Sequence, residues 1–342
     1  MKTTYFSKYS ERGPSSRYRI YQFLELFKSS GVEVSVSPLF EDFYFEILTE
    51  PEPAQIVKKT AYTSTRFRKR RQDLKAHNGD LIVIEQQLFP YMPFSVEKKY
   101  LPSDYLLEFD DAIYLTHPKK MPELIRQARA VITGNRTLAE YAGEHNSNVH
   151  VVPTVLNTDT FHPSPKESRE KLILGWTGLE YNFKYLKIVA PVLRKLAEKY
   201  PVEIVILSGS PPKDFDVPFR FSKWDRQREV EQINEFDIGI MPLEMDEWCK
   251  GKCGFKLLQY MALEIPAVAT PIGVNRQIIH HQRNGFLAEQ MEEWEKHLSS
   301  LIENSDLRKQ IGQAGRSTIL EHYSTSAWFP TLLALYRRYA GQ

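Results

Sequence analysis

The sequence has only two cysteines, Cys249 and Cys253, in 342 residues. Two thiols cannot build the disulfide framework that stabilises many small secreted domains, so a reducing compartment is expected. The two residues are four positions apart, but a zinc site needs further cysteine or histidine ligands, and no histidine lies near them in the sequence. The pair therefore predicts two ordinary thiols and not a metal centre.

Long apolar runs and a strong net charge are also missing. No stretch approaches the ~20 apolar residues that a membrane-spanning helix requires, and residues 1–19 lack the apolar segment of a secretion signal. The formal net charge of +2 argues against a wholly basic nucleic-acid binder. We therefore expect a cytosolic protein that binds no nucleic acid and can still touch a membrane face.

The chain is too long for one core of ordinary size, and it suits two domains of roughly 150 residues each. Hydrophobic residues make up 42% and charged residues 26% of the sequence, which is typical of a globular protein. Apolar strands rich in valine and isoleucine alternate with helical segments in both halves. This alternation predicts an α/β fold with parallel sheets that are covered on both faces.

A segment rich in proline and small polar residues, 153–170, separates the two halves. The predicted boundaries are 1–155 for the first domain, 156–170 for the linker, 171–325 for the second domain and 326–342 for a last helix. That helix carries an apolar stripe, which we expect to pack back on the first domain. The stripe consists of Trp328, Leu332, Tyr336 and Tyr339. Since such sheets bind ligands at the carboxyl ends of their strands, the active site is expected in the cleft between the halves.

The segment "CKGKCGFKLLQYMALEIPAVATPIGV" (Cys249–Val274) joins two strand-like runs through a helix that is predicted to begin among its lysines. At 100° per residue, Lys252, Lys256 and Gln259 fall within about 60° of one another. A separate apolar flank consists of Phe255, Leu258 and Ala262. A helix N-terminus favours anions, and two lysines can neutralise a diphosphate. A solvated lysine pair on a core helix is the alternative interpretation.

Three strand-to-helix loops carry glycine and could approach an anion with their backbone. Gly254 lies in the first loop, and Gly273 and Val274 would present N–H groups at the start of the next helix. The loop in the first half contains Gly13, Pro14, Ser15 and Ser16, and Arg17 and Arg19 follow it. Each loop alone is weak evidence, because α/β proteins need such turns in any case. Convergence of all three on one cleft would make an anion site.

Carboxylates cluster within "LLEFDDAIYL" (Leu106–Leu115), which is predicted to be one strand. Asp110 and Asp111 could bind a sugar hydroxyl, serve as a base or hold a metal. A structural role as a cap for the next segment is an equal alternative.

The most basic segment, Lys58–Lys75, holds eight lysines or arginines and one aspartate on a predicted helix. A solvated helix face is the first interpretation, contact with an anionic membrane is the second, and nucleic acid is the last. Its apolar positions, Ile56, Phe67 and Leu74, are too sparse for a deep membrane anchor.

Nearly end to end, the sequence resembles a glycosyltransferase of the GT-B fold, in the broad family-4 group of retaining enzymes. The most specific part is Gly251–Ala288, which is similar to the donor-site helix of that group, its "P-hydrophobic-V-A-T/S-x-x-G" strand and loop, and an "N-G-F-L" turn. The stretch "ILGWTG", with Asn182 and Lys184, resembles the first strand and loop of the donor domain. The stretches "GPSSRYR", "SPLF", "IEQQLFP" and "FDDA" resemble a bacterial subset associated with surface polysaccharide or lipopolysaccharide assembly, and "VVPTVLNTDTFHP" resembles the domain linker.

The resemblance implies two Rossmann-like domains that face a cleft, with a UDP- or GDP-type sugar bound to the second domain. It implies transfer of a hexose-type sugar to a saccharide or lipid-linked acceptor with retention, in the cytoplasm, where contact with the inner face of the cell membrane can occur. Lysines and helix N-termini would stabilise the departing diphosphate, so we expect no required cofactor and no essential metal. A nucleotide-sugar epimerase of the same fold and a non-catalytic glycan- or nucleotide-binding module are the alternatives.

The implied site residues fall into three groups. The catalytic residues are Lys252, Lys256 and Asp110. The donor-binding residues are Trp176, Gly178, Asn182, Lys184, Gly254, Phe255, Gln259, Gly273 and Val274. The acceptor-binding residues are Gly13, Ser15, Ser16, Arg17, Arg19 and Asp111, with the Lys58–Lys75 helix on the acceptor side. The group often carries two glutamates eight residues apart, and here those positions are Gly251 and Gln259. Gln259 can still hydrogen-bond the ribose hydroxyls.

Overall fold

The computed structural model describes residues 1–49, 51–166 and 168–341. The described chain separates into two compact units, and each has its own sheet and core. The first unit covers Met1–Thr154 together with the residues from Trp328 onward, and the second covers Val155–Ala327. The predicted α/β class with parallel sheets is confirmed.

The strands of the first unit form a parallel sheet with the order β2-β1-β3-β4-β5-β6. They are β1 (Lys2–Tyr9), β2 (Glu33–Phe40), β3 (Leu81–Glu85), β4 (Leu106–Phe109), β5 (Ala130–Thr133) and β6 (Val149–Val151). All five residues of β3 are buried, as expected for a central strand with both faces covered. The chain leaves β1 towards one edge and returns to β3 on its other side, which makes a switch point between these two strands.

The helices of the first unit cover the faces of this sheet. They are α1 (Pro14–Arg19), α2 (Leu24–Ser29), α3 (Asp42–Ile47), α4 (Ala54–Ala76), α5 (Phe94–Glu97), α6 (Met121–Gln127) and α7 (Arg136–Gly143). The start of α7 is fixed by a side-chain cap, because the Asn135 carboxamide oxygen accepts a hydrogen bond of 3.0 Å from the Leu138 N–H. Pro14 opens α1, where its missing N–H has no cost.

The second sheet is parallel as well, with the order β12-β11-β10-β7-β8-β9. Its strands are β7 (Leu172–Thr177), β8 (Val202–Ser208), β9 (Arg220–Lys223), β10 (Ile238–Met241), β11 (Ala267–Ala269) and β12 (Phe286–Leu287). Its helices are α8 (Phe183–Ile188), α9 (Ala190–Lys199), α10 (Glu229–Asn234), α11 (Glu247–Lys250), α12 (Phe255–Ala262), α13 (Asn275–Ile278), α14 (Met291–Glu303) and α15 (Ser305–His322). This is the doubly wound Rossmann order, with the switch point between β7 and β10.

The last helix, α16 (Thr325–Ala340), starts in the second unit, and its residues from Trp328 onward belong to the first. Leu332, Tyr336 and Tyr339 of the predicted stripe are buried. The Tyr336 ring stacks on Phe27 of α2, with 5.0 Å between the ring centroids. The helix therefore packs on the first unit, as the apolar stripe predicted.

One predicted strand is shorter than expected. The segment Leu106–Leu115 is a strand only as far as Phe109. The chain turns at Asp111, whose carbonyl accepts a hydrogen bond of 2.7 Å from the Ile113 N–H. Asp110 and Asp111 therefore lie in the loop at the carboxyl end of β4. Among the described residues, no helix combines the length and the apolar character that are required to cross a bilayer.

Candidate active site

The predicted donor residues lie around the switch point of the second sheet. The strands β7 and β10 are neighbours, and their connections leave in opposite directions along the sheet. The loops after their carboxyl ends begin at Gly178 and Pro242 and open side by side, which is where α/β sheets bind ligands. The helices α8, α12 and α13 start close to this edge, because each follows one of its strands.

Lys256, in the first turn of α12, approaches the end of β7. Its Nζ lies 5.5 Å from the centroid of the Trp176 ring, which is buried. A Cβ atom on Gly178 would stand 3.0 Å from Cε of Lys256 and 2.6 Å from the Trp176 ring. The lysine therefore lies beside the bare backbone of Gly178, and the structure brings these three predicted residues together.

Two glycines bring the loops before α12 and α13 together. Gly254 has a φ of +69° and Gly273 a φ of +49°, in the left-handed region that favours glycine. A Cβ atom on Gly254 would come within 2.9 Å of the Val274 side chain, and one on Gly273 would overlap the Lys250 carbonyl. Gly273 thus lies against the backbone at the end of α11, and Gly254 lies against the side chains of Val274 and Ile278.

The helix α12 begins at Phe255, which is half-buried, and not among the lysines. A left-handed Gly254 cannot continue a right-handed helix backwards, so Lys252 lies in the segment between α11 and α12. The prediction that Lys252, Lys256 and Gln259 share one helical stripe is therefore wrong for Lys252. The spacing of the lysines can be read from the sequence, but the left-handed conformation of Gly254 cannot.

Lys252 and Lys184 meet at the ring of Tyr185. The Nζ of Lys252 lies 5.7 Å from the ring centroids of both Tyr185 and Trp248, and the Nζ of Lys184 lies 4.7 Å from that of Tyr185. Lys184 also forms an ion pair of 2.7 Å with Glu244, in the loop after β10. The tertiary structure therefore groups two predicted lysines that are 68 positions apart in the numbering.

Gln259 is more deeply buried than predicted, since only 3% of the residue is exposed. Its carboxamide donates a hydrogen bond of 3.2 Å to Oε1 of Glu229, and the indole N–H of Trp224 donates one of the same length to that oxygen. Glu229 begins α10 and was not among the predicted site residues. A glutamate in the first turn of a helix is ordinary, so the sequence carried no signal for this contact.

Asn182 ends a short 3-10 helix, Glu180–Asn182, directly before α8. The residue is buried, and its side-chain oxygen has no hydrogen-bond partner within the described part of the chain. A buried acceptor without a partner is costly, so this amide oxygen is suited to receive a ligand hydroxyl or N–H.

The two cysteines lie next to this site. Burial raises the pKa of the Cys249 thiol to about 11, so the group is a neutral thiol near pH 7. Cys253 is half-buried. Among the residues that the structure describes, no group of histidine, cysteine, aspartate and glutamate side chains could hold a metal ion.

The predicted acceptor loop lies at the switch point of the first sheet. Gly13 precedes α1 in extended conformation, and a Cβ atom there would overlap the Tyr9 side chain. The Ser16 hydroxyl donates a hydrogen bond of 2.6 Å to Oε2 of Glu85 and accepts one of 3.1 Å from the Tyr9 N–H. Ser15 is half-exposed. The loop therefore leaves Ser15 at the surface and uses Ser16 to anchor the end of β3.

Arg19 lies in the core of the first unit, in contrast to the predicted acceptor contact. Only 4% of the residue is exposed, and its Nε donates a hydrogen bond of 2.6 Å to Oε1 of Glu108. The Tyr5 hydroxyl donates to the other oxygen of that carboxylate at 2.7 Å, and Nη1 of Arg19 donates to the Val152 carbonyl at 2.8 Å. Arg17 is buried too, with its guanidinium 4.7 Å from the Tyr18 ring centroid.

Asp110 is a buried carboxylate at the carboxyl end of β4. Its Oδ1 has no hydrogen-bond partner among the described residues, and a Cβ atom on Gly134 would lie 3.0 Å from its Cα. Burial raises the pKa of Asp110, although the charge of Arg19 opposes the shift. Asp111 is half-buried. Asp110 therefore has an unused acceptor atom and a raised pKa, and both properties suit contact with a ligand hydroxyl.

Glu85, at the end of β3, was not predicted. Burial raises its pKa to about 7, against the opposite effect of hydrogen bonds from the Ser16 hydroxyl and the Lys8 N–H. The negative charge of Asp110 adds to the increase. Oε1 of Glu85 has no hydrogen-bond partner within the described residues. A glutamate that ends the apolar run "LIVIE" was the sequence signal for this buried carboxyl group.

The basic helix α4 turns part of its charge inward. Arg70 is only 1% exposed and donates a hydrogen bond of 2.6 Å to the Ser7 carbonyl. Arg66 donates to the Leu39 carbonyl at 2.8 Å, and the guanidinium of Arg71 lies 4.6 Å from a tyrosine ring centroid. The fully outward basic residues are Lys58, Arg68, Lys69 and Lys75. The helix therefore presents less positive charge than its sequence suggested.

Comparison with known proteins agrees with this architecture. Residues 219–318 match the family model of glycosyl transferases group 1. No curated protein sequence matches the chain. The matched segment contains Glu229, Lys252 and α12, and it therefore covers part of the candidate donor site; Trp176, Gly178, Asn182 and Lys184 lie before it.

Several solved structures share the fold over the whole chain. Sucrose-phosphate synthase from Thermosynechococcus elongatus is 12% identical, with a TM-score of 0.72 and 100% of both chains covered. HepE from Anabaena, in complex with UDP and glucose, is 13% identical, with a TM-score of 0.68 and 98% and 99% of the two chains covered. The lipopolysaccharide outer core galactosyltransferase WaaB is 15% identical, with a TM-score of 0.64 and 99% and 100% covered.

These likenesses establish the GT-B fold for this chain. Together with the glycosyl transferases group 1 match over residues 219–318, they indicate an enzyme of the glycosyltransferase class.

Proposed function

We propose that the chain transfers a hexose-type sugar from a UDP- or GDP-sugar to a saccharide or lipid-linked acceptor. The donor binds to the second unit, at the loops around the switch point, and the acceptor binds to the first. The observation that carries this proposal is the position of Lys256 beside the bare backbone of Gly178, where α/β sheets bind ligands. The complex of HepE with UDP and glucose supports a nucleotide-sugar donor.

In the proposed reaction, the bond from the anomeric carbon to the diphosphate oxygen breaks, and its electron pair stays on the diphosphate. The acceptor oxygen forms the new bond on the same face of the sugar, and its proton passes to the departing diphosphate. Charge grows on the diphosphate in this step, so the ammonium groups of Lys252 and Lys256 stabilise the transition state more than the ground state. The free N–H groups at the start of α12 act in the same direction.

On the donor side, the buried pair of Gln259 and Glu229 is proposed to bind the ribose hydroxyls. The carboxylate of Glu229 supplies an acceptor, and the Gln259 amide fixes its position. The unpartnered amide oxygen of Asn182 is proposed to take a further donor hydrogen bond. Lys184 is held by Glu244 in the structure, so a diphosphate would have to compete for it.

On the acceptor side, Asp110 is proposed to accept a hydrogen bond from the attacking hydroxyl, because its Oδ1 is buried without a hydrogen-bond partner among the described residues. Asp111, in the loop after β4, and Ser15, in α1, are also proposed to contact the acceptor. Arg19 is assigned a structural role, because its guanidinium donates hydrogen bonds to Glu108 and to the Val152 carbonyl in the core.

We further propose that the enzyme acts in the synthesis of surface polysaccharide or lipopolysaccharide. The fold is shared with WaaB, a lipopolysaccharide outer core galactosyltransferase. Peripheral contact with anionic lipid would use the outward basic residues of α4, with Ile56 and Val57 exposed at its start. Flotation with anionic and with neutral liposomes tests this contact. Equal recovery of the protein with both kinds of liposome would refute it.

The donor proposal is tested by Lys256→Ala. We expect this variant to lose sugar transfer and to bind nucleotide sugars at least tenfold more weakly, in a thermal-shift and calorimetric screen of UDP-, GDP-, ADP- and dTDP-sugars. Lys250→Ala is the matched control, since Lys250 lies in the same segment but pairs with Glu247 on the surface. Transfer at the wild-type rate by Lys256→Ala would refute the diphosphate assignment, and turnover of the donor without any acceptor product would indicate an epimerase.

A further inference from the structure

A cluster of aromatic rings lies at the carboxyl edge of the first sheet. Tyr9 ends β1 and Phe40 ends β2, and these two residues are directly paired in the sheet register. Their ring centroids are 6.1 Å apart. The Tyr44 ring from α3 stacks on Phe40 with 4.3 Å between centroids and lies 6.0 Å from Tyr9. This aromatic cluster thus borders the switch point where the acceptor loop starts.

The cluster continues outward into solvent. The hydroxyl groups of Tyr44 and Tyr91 are 3.3 Å apart, and the Phe43 ring packs edge-on against Tyr62, with 5.5 Å between centroids. Tyr44 is buried, whereas 51% of Phe43 and 58% of Tyr91 are exposed. Packing accounts for the inner rings, but it does not account for two large aromatic side chains that remain more than half exposed.

Positive charge surrounds these rings. The Nζ of Lys59 lies 5.9 Å from the Tyr44 centroid and 5.8 Å from the Tyr91 centroid. Lys59 forms no ion pair with any residue that the structure describes. Lys8 lies over the Tyr9 ring at 5.1 Å, and its ammonium donates a hydrogen bond of 3.1 Å to Gln86, next to the proposed acceptor site.

The nearby carboxylates have partners other than Lys59. Glu41 pairs with Arg66 at 2.8 Å, and Asp42 accepts a hydrogen bond of 2.5 Å from the Ser10 hydroxyl. Glu46 lies 3.9 Å from the guanidinium of Arg12. The ammonium of Lys59 is therefore the charge that a ligand on the Tyr44–Tyr91 pair would meet.

We propose that this cluster is a subsite for an anionic saccharide, a part of the acceptor that carries a carboxylate or phosphate group. The exposed rings of Tyr91 and Phe43 stack on the C–H faces of pyranose rings, the tyrosine hydroxyls bind sugar hydroxyls, and Lys59 pairs with the anionic group. The inference rests on the proposed function, because it assigns a chemical class to the acceptor of the same reaction.

The test uses the whole chain and saturation-transfer NMR titrations with two disaccharides, one that contains glucuronic acid and its glucose counterpart. We expect the acidic disaccharide to bind about tenfold more tightly. Lys59→Gln should abolish that preference and leave the affinity for the neutral sugar unchanged, and Lys59→Arg should retain it. Tyr91→Ala should weaken the binding of both sugars.

Two surface variants of the same unit are the controls. Lys119→Gln removes an exposed lysine, and Leu115→Ala removes an exposed apolar side chain, so both should bind like the wild type. Equal affinity for the two sugars, or no signal for either at millimolar concentration, would overturn the proposal. The proposal would also fail if Lys59→Gln abolished flotation with sugar-free anionic vesicles and left disaccharide binding intact. Lys59 would then bind anionic lipid and not the saccharide.

The same samples separate this inference from the proposed function. Nucleotide binding is measured by thermal shift, and it depends on residues of the second unit alone. A chain that binds nucleotide but not the acidic disaccharide would refute the subsite and leave the proposed function standing. A chain that binds no nucleotide sugar would refute the proposed function itself.

Discussion

The ammonium group of Lys256 lies 5.5 Å from the centroid of the Trp176 ring. The ring is buried and the lysine is half-buried, so the ammonium group lies beside a fixed aromatic ring. A cation held in position before the reaction needs no reorganisation when charge grows on a departing group. This pair is therefore the centre of the candidate donor site, and its surroundings can be tested by substitution.

Gly178→Ala should disturb this arrangement directly. The added Cβ would stand 2.6 Å from the Trp176 ring and 3.0 Å from Cε of Lys256, so one of the two must shift. We expect a loss of about 1–3 kcal/mol in the free energy of unfolding and at least tenfold weaker nucleotide binding by calorimetry. Gly143→Ala is the control, because a Cβ atom there meets no atom within 4 Å. Unchanged affinity in Gly178→Ala would place the diphosphate elsewhere.

Gln259→Glu tests the buried pair of Gln259 and Glu229, and we expect it to weaken nucleotide binding. The new carboxylate would face Oε1 of Glu229, which now accepts the amide hydrogen bond at 3.2 Å. Two like charges at that distance repel each other, so nucleotide affinity should fall about tenfold. The double variant Gln259→Glu/Glu229→Gln should recover most of it in the same calorimetric titration. Tighter binding by the single variant would contradict the proposed role of the pair.

Arg19→Met should destabilise the first unit without a specific effect on substrates. The variant leaves Glu108 charged in the core without its partner, which costs about 3–5 kcal/mol. The double variant Arg19→Met/Glu108→Leu removes both charges and should regain part of this loss in urea unfolding. KM values for donor and acceptor should stay within about twofold of wild type where the variants are folded. A large increase in the acceptor KM with unchanged stability would instead support the prediction that Arg19 contacts the acceptor.

The buried Glu85 should make stability depend on pH. Its pKa is raised from 4.5 to about 7 in the folded chain, so between these values the folded state holds a proton that the unfolded state has lost. Stability therefore falls as the pH rises from 4.5 to 7, by up to about 3 kcal/mol, and the cost persists above pH 7. Thermal unfolding should show Glu85→Gln to be more stable than wild type at pH 8 and similar to it at pH 4.5.

The comparison of wild type with Glu85→Gln isolates this carboxyl group, because the other buried acids titrate in both proteins. The amide oxygen that the substitution introduces can still accept the hydrogen bonds from Ser16 and from the Lys8 N–H, so the variant should keep the local structure. A stability difference that stays constant from pH 4.5 to 8 would show that Glu85 titrates normally.

Several features were predictable because they depend on local sequence. The expected apolar strands include Leu81–Glu85 and Ala130–Thr133, since a strand buried on both faces requires continuous apolar residues. The predicted helix that carries Lys58–Lys75 also forms, as part of Ala54–Ala76. The start of α12 was not predictable from spacing, because the spacing of the lysines does not reveal the left-handed backbone of Gly254 directly before Phe255.

By itself, the sequence determined two parallel α/β sheets and the lysine- and glycine-bearing loops, because strand composition and turn residues act over a few positions. Only the tertiary structure decided which charged groups are structural and which are available to a ligand. Arg19 and Arg70 are as basic in sequence as Lys256, yet strand order and helix packing bury both arginines and leave the lysine half-buried. The fate of a charge depends on which distant groups surround it, and that arrangement exists only after the chain has folded.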